Sequence, residues 1–518
     1  MKSKVNWTML FTSIAILAFV CLHACLMIGI NPVSYTHLTR VKPRRAKSRL
    51  LKTSIPHGSL GISKPSLRTV SYTHLDVYKR QSLNHKHSYR KLRRWVLPAV
   101  LGAALSTLAF LPTFAEDIPS APPAGNPPMS APNGPVPKAE ANPNTFTGTT
   151  VVTENKAIVH ELISNTTSDQ NAFIGKDKAV VTIENSVFDK TGNTTNDDNS
   201  NFRGQNAVIL GTDGSQINIK GSNITSNSNG SNAVFATGEG SVINVENTNI
   251  HTKSDSSRGL DATYKGTVNG KNLTITTEGA HSATLATDRG EGTITAEAAK
   301  LTTFGEGSPI IYSTGNITAD YITGEAKNSE IGVVEGKNSI TLTNSNVTGY
   351  KNNGFMLYQS FSGDAESGIA RLKAENNSLT THATGAFIYV NNTTAEVDLT
   401  GNAISTPNTT TLVKAAADSR WGKTGENGGH LTLRASNQAL NGNIVADAIS
   451  TIALDMTNGS SLVGAINTDN MAKEVTLKLS KDSTWTLTGD SYVKSLTNED
   501  TTGENIHLNG YKLVVADK

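Results

Sequence analysis

Side chains able to do acid–base or nucleophilic chemistry are sparse along this chain and do not fall at motif spacing. His251, His281, His382, His430 and His507 stand at unrelated positions and read as surface or turn residues. Asp197 and Asp198 are adjacent, as a paired-carboxylate mechanism would want. They lie in an Asn/Thr-rich stretch with no His or Lys close by, and so read as solvated loop charges. Asp261, Asp364 and Asp398 carry an acid–base reading only if the fold brings them to Arg or Lys on one face. Trp421, flanked by Arg420 and Lys423, sits in a long loop and is the candidate binding element. An indole there can stack on a sugar ring, or simply pack the loop down. No HExxH, GxSxG, P-loop or EF-hand pattern occurs after Ala115. The two cysteines, Cys21 and Cys25, precede all of this, so a thiolate metal site or disulfide framework is excluded downstream. No cofactor and no metal are expected.

The elements that must position these residues are repeats. Asn206–Ile219 and Asn232–Val245 align without a gap at a step of 26 residues. Each copy has a short apolar run, a Gly-containing turn, and an apolar-Asn-apolar triplet, which is strand, turn, strand. Such a unit cannot bury its apolar face alone and must stack on its neighbours. The apolar-x-apolar pair recurs at Val181/Ile183, Ile217/Ile219, Ile243/Val245, Val268/Gly270, Ile294/Ala296, Ile317/Ala319 and Ile340/Leu342. It continues at Leu372/Ala374, Val397/Leu399, Leu431/Leu433, Ile452/Leu454, Val475/Leu477 and Ile506/Leu508. Alternation turns each pair inward and the residue between them outward. A second strand precedes the early pairs, as at Ala233–Thr237 and Gly259–Thr263. A third follows, as at Ser222–Ile224 and Leu273–Ile275. Glycines in the turns between the first two, Gly238, Gly240, Gly266, Gly290, Gly292 and Gly315, suit positive φ. The fold class is therefore all-β, a right-handed parallel β-helix with about three strands per coil, spanning 149–518. Coils at the usual strand spacing make a rod of roughly 60 Å. Longer gaps at Asp189–Gly204, Phe361–Gly368, Asp418–Gly429 and Asp490–Asn505 read as loops, where binding usually resides.

The segment before the repeats has a different character. Residues 7–30 are apolar and long enough to span a bilayer, and a basic cluster from Arg40 to Arg49 follows. Val33–Leu38 recurs verbatim at Val70–Leu75, and the second copy runs on to Gln81. These pieces resemble a translated sequencing-adapter tag, so residues 1–81 read as a chimeric leader. Residues 82–115 have a basic start, an apolar stretch over 95–111 and the small-x-small end Thr113-Phe114-Ala115, the plan of a secretory signal peptide. Residues 116–148 are a Pro-rich linker. Membrane contact is expected only through these N-terminal hydrophobic segments, and the repeats are expected outside the cell or on its surface after export. The net charge of +3 is too small to imply a nucleic-acid partner.

The repeat Ser241-Val242-Ile243-Asn244-Val245-Glu246-Asn247 resembles bacterial surface β-helices of the pertactin-like, adhesin-like type. Ser483–Ser491, with Leu496 and Ile506–Gly510 after it, is similar to the last coils of an autotransporter passenger. The resemblance covers about Thr149 to Val515. It implies export, surface display and attachment to glycans or to host or matrix proteins through the loops, without catalysis. The fold also hosts pectin lyases and polygalacturonases, so a polysaccharide lyase or hydrolase is the alternative, and an inert spacer rod a further one.

Overall fold

The computed structural model describes residues 142–516. The leader, the signal-peptide reading, the apolar segments 7–30 and 95–111 and most of the linker lie outside the described residues. Among the described residues no helix is long and apolar enough to cross a membrane.

Three parallel sheets wind around one interior as a right-handed β-helix. Sheet A has 12 strands, from Gly148–Val152 to Asn443–Ala446. Sheet B has 14, from Lys156–Val159 to Ser495–Asn498, and sheet C has 10, from Leu162–Asn165 to Ala403–Ser405. The chain passes A to B to C and begins the next coil on A. A four-stranded sheet that starts at Ala439–Asn441 and includes Thr484–Thr486 and Ile506–His507 replaces C toward the C-terminal end.

Sheet B is where the alternation is plainest, because one face is packed and the other is wet. Ile217, Ile243, Val268, Ile294, Ile317 and Ile340 align in register across successive strands, all buried. Between Val397 and Leu433 the register advances by two residues relative to the sequence pairs, which keeps the same face inward. The interior is one continuous cluster from Val152 to Val493.

The structure departs from the sequence expectation in four places. The sheet B strands begin one coil before the Val181/Ile183 pair, at Lys156–Val159 with Ile158 inside. Ile506/Leu508 is not a sheet B pair: Ile506 sits beside Trp485 in the four-stranded sheet, and Leu508 is exposed. The gap Asp490–Asn505 is not a loop but holds the strands Ser491–Val493 and Ser495–Asn498 of an ordinary coil. The turn glycines divide by cause. Gly238, Gly240 and Gly290 have positive φ. Gly266, Gly292 and Gly315 do not; a Cβ on any of them would overlap backbone of the coil below.

Between sheets B and C the corner residue is left-handed, and it is often Asn: Asn185, Asn247, Asn272, Asn344, Asn376 and Asn437 have φ from 48° to 56°. Asn tolerates this conformation best among residues with a Cβ. Just past the corner a polar column runs along the rod inside the protein. Asn402 Oδ1 accepts from the backbone N of Asn377, and Gln438 Oε1 accepts from that of Asn402, each within 3.1 Å. The column satisfies corner donors that the sheets leave unpaired.

Candidate functional site

Over its middle strands sheet A differs from sheet B in having both faces covered. Val234–Thr237 and Leu260–Thr263 are buried at every position, as strands covered on two sides must be. Its outward ladder runs Leu210, Phe235, Asp261, Ala286, Tyr312, Val333, Met356, Tyr389. Three insertions border this face. One enters from sheet C, between the strands Val187–Thr191 and Ile209–Gly211; the others leave toward sheet B, over 359–368 and 416–428.

The first insertion contains a short helix, α1, over Asp197–Arg203. Asn196 caps it, its side chain accepting from the backbone N of Asn199 at 3.1 Å, and Gly204 closes it with φ 76°. Asp197 and Asp198 are thus solvent-exposed first-turn acids that suit the helix dipole, on a short helix where the sequence suggests a loop. The insertion is held from below by Lys190, whose buried ammonium donates to the carbonyls of Thr167, Thr191 and Gly192. Burial lowers its pKa to about 8, with Asp169 pulling the other way.

Under α1 and the 359–368 segment lies a set of charges. Arg258 donates to Asn201 of α1 at 2.6 Å, and lies 3.1 Å from Asp288 and 3.8 Å from Asp261. Neither Asp261 oxygen accepts a hydrogen bond of ordinary geometry, and the Asp288 oxygen nearest Arg258 makes an ion-pair contact only. Arg289 donates through two nitrogens to Asp364, at 2.6 and 3.1 Å, and its guanidinium stacks on Phe202 of α1. Glu335, fully buried, accepts from the hydroxyls of Tyr312, Tyr358, Ser360 and Ser362. Burial, reinforced by Asp288, pushes the Asp261 carboxyl well above its ordinary value. Burial also lifts Asp288 to about 7 despite Arg258. Burial works against the Arg258 cation, but Asp288 and Asp261 more than offset it and its pKa rises. Tyr312 and Tyr358 are raised by burial and by Glu335.

Farther along, the second and third insertions meet. The Trp421 ring lies 5.5 Å from Tyr358 and 6.5 Å from Phe361, centroid to centroid. Trp421 is half-buried against Val333, Met356 and Tyr389, so it does pack the loop onto the rod. Phe361 beside it is 58% exposed. Arg420 and Lys423 point to solvent, and each pairs within its own loop, Arg420 with Asp418 at 3.4 Å and Lys423 with Glu426 at 2.5 Å.

The fold brings Asp261 and Asp364 to arginines in the covered cluster. Asp398 instead pairs with Arg434 at 3.1 Å on the wet face of sheet B. The histidines do not converge: His251 meets Glu278 at 2.7 Å, His382 stacks on Tyr350, and His430 shares a hydrogen with Thr451. Among the described residues no group of three or more His, Cys, Asp or Glu is placed to hold a metal ion. Arg258, Asp288, Arg289 and Glu335 were not singled out by sequence. The available signal was a charge at the edge of an otherwise apolar sheet A run. No protein-family model, no curated protein and no solved structure matches the chain.

Proposed function

We propose that this chain is an exported β-helix, displayed at or released from the cell surface, that binds glycans or host or matrix proteins through the insertions over sheet A. The observation that supports this reading most is the aromatic platform of Phe361, Trp421 and Tyr358. It is built by two stacked insertions, and its outermost ring is open to solvent. A flat open ring, with the exposed guanidinium of Arg420 next to Trp421 in the chain, suits the apolar face and hydroxyl edge of a saccharide. Rigid rungs beneath it keep the ordering cost of binding low.

The test is a glycan and matrix-protein array probed with the chain, alongside the double variant Phe361→Ala/Trp421→Ala. We expect discrete signals that fall at least about tenfold in the variant, the size of a lost hot spot. A blank array for the wild type supports the spacer rod, and signals that survive in the variant remove the platform from the reading.

A second reading, a polysaccharide lyase or hydrolase, draws on Asp261 and Asp288 standing near Arg258. All three side chains are buried beneath α1, so a polymer reaches them only if the cover moves. Release of unsaturated or reducing ends from plant or bacterial polysaccharides would favour that reading over the first.

A further inference from the structure

The set of charges beneath α1 does not balance. Among the described residues Arg258 is the one cation paired within 4 Å with Asp261 and Asp288, so two buried carboxylates share one guanidinium. Arg289, the next cation, is engaged by Asp364. Glu335 has four hydroxyl donors but no cationic partner among the described contacts. Buried charge without a counter-charge or hydrogen bonds is strongly unfavourable. The structure relieves it either by keeping a proton on the pair or by letting water in. Water that enters must pass the segments bonded over these charges, α1 and 359–368.

The cover is fastened to the charges themselves. Asn201 of α1 accepts from Arg258, the carbonyl of Phe202 accepts from Thr263, and the Phe202 ring lies on Arg289. The 359–368 segment is fastened by Asp364 to Arg289 and by Ser360 and Ser362 to Glu335. We propose that α1 and the 359–368 segment form a proton-dependent cover over sheet A, latched while Asp261 and Asp288 hold one proton between them and loosened when both ionise.

The other titratable groups facing this pair do not reverse the direction. Tyr312 and Tyr358, on sheet A, are held up and stay neutral. Arg258 and Arg289 stay charged. Asp364 and Glu335 add negative charge near Asp288, which resists its ionisation further. His281, the histidine that senses Arg258, is held below its ordinary value of 6.5 by burial, so it gains its proton only on the acidic side. A carboxyl whose folded pKa is raised binds more protons folded than unfolded. Its cost is therefore absent below its ordinary 3.8, grows as pH rises, and is complete above about 7. The cover is tighter in mild acid and looser in mild base, opposite to the usual behaviour of a salt-bridged carboxylate.

The test is hydrogen exchange of the full chain at about pH 5.5 and about pH 8.5, corrected for intrinsic rates. Amides of 197–203 and 359–368 should exchange at least about tenfold faster at the higher pH, the effect of one pKa unit. Amides of the sheet B strand Asn316–Asp320 should show no such change. Asp288→Asn and Asp261→Asn should each flatten the difference. Asn201→Ala removes a tie without removing a charge, and should loosen α1 at both pH values while leaving the 359–368 segment pH-dependent. Equal protection of the wild-type cover at both pH values would overturn the proposal, as would an unchanged pH dependence in both Asp variants. If neither variant folds, the wild-type comparison alone decides. The readout does not depend on ligand binding, so it stands or falls separately from the proposed attachment role.

Discussion

Replacing Trp485 by Ala is expected to destabilise the C-terminal coils by about 3–5 kcal/mol, the range for truncating a large buried aromatic. Trp485 is 0% exposed and fills the interior where the four-stranded sheet has taken over from sheet C. It sits in register between Leu462 and Ile506, and its Nε1–H donates to the Gly464 carbonyl at 3.0 Å. Truncation opens a cavity and also leaves that carbonyl buried without a donor, and the two costs add. Trp485→Phe keeps most of the volume and loses only the hydrogen bond, so about 1–3 kcal/mol is expected. In a solenoid each coil contacts only its neighbours, so the damage should stay local. Urea unfolding followed by circular dichroism should split, with an early transition for the last coils. Limited proteolysis should cut after about residue 460 first while the coils before it persist. A single unshifted transition in Trp485→Ala would contradict this packing.

Gly305→Ala is the second large effect, and it arises from the backbone. Gly305 lies at the corner from sheet C to sheet A, and a Cβ there would overlap the Gly279 carbonyl oxygen of the preceding coil. Gly279 stands in the same relation to Ser254 one coil earlier. The rungs cannot simply part, because hydrogen bonds on either side fix their spacing: Phe304 N donates to Thr277 O at 2.9 Å, and His281 N donates to Glu306 O at 2.9 Å. The substitution therefore breaks a rung bond or strains the corner, at about 3 kcal/mol. By contrast, Gly459 has positive φ but open space around the Cβ position. Gly459→Ala should cost only the strain of a left-handed Ala, about 1 kcal/mol. Thermal unfolding of the two variants side by side checks the ranking, and equal shifts would contradict it.

How much could be read from sequence follows from which faces are wet. The sheet B strands were legible because one face is core and the other solvent, so Ile243-Asn244-Val245 prints its burial in period two. Sheet A was legible as strand but not as site. Leu260-Asp261-Ala262-Thr263 is buried throughout, so its pattern does not tell inward from outward residues. What covers it comes from insertions distant in sequence: Asp364 reaches Arg289 across 75 residues, and Asn201 reaches Arg258 across 57. No local spacing encodes those meetings. Ile506/Leu508 failed for a related reason. A pair that alternates correctly does not say which side of the coil it occupies, and here the last coils change their third side. The sequence offers Trp421 as a loop residue that stacks on a ligand or packs the loop down; its ring packs against the rod, and Phe361 beside it supplies an open ring.

The fixed register of successive coils around a single interior positions every insertion over sheet A. It is tested most directly by cross-linking. Thr295 and Thr318 are register partners on the outer face of neighbouring sheet B strands. Partners in adjacent strands lie about 4.8 Å apart, within disulfide reach. With Cys21 and Cys25 replaced by serine, Thr295→Cys/Thr318→Cys should form an intramolecular disulfide under mild oxidation. Thr295→Cys/Ala319→Cys, one residue away on the inner face, should not. A bridge in the second pair and none in the first would contradict the register, and with it the placement of every insertion over sheet A.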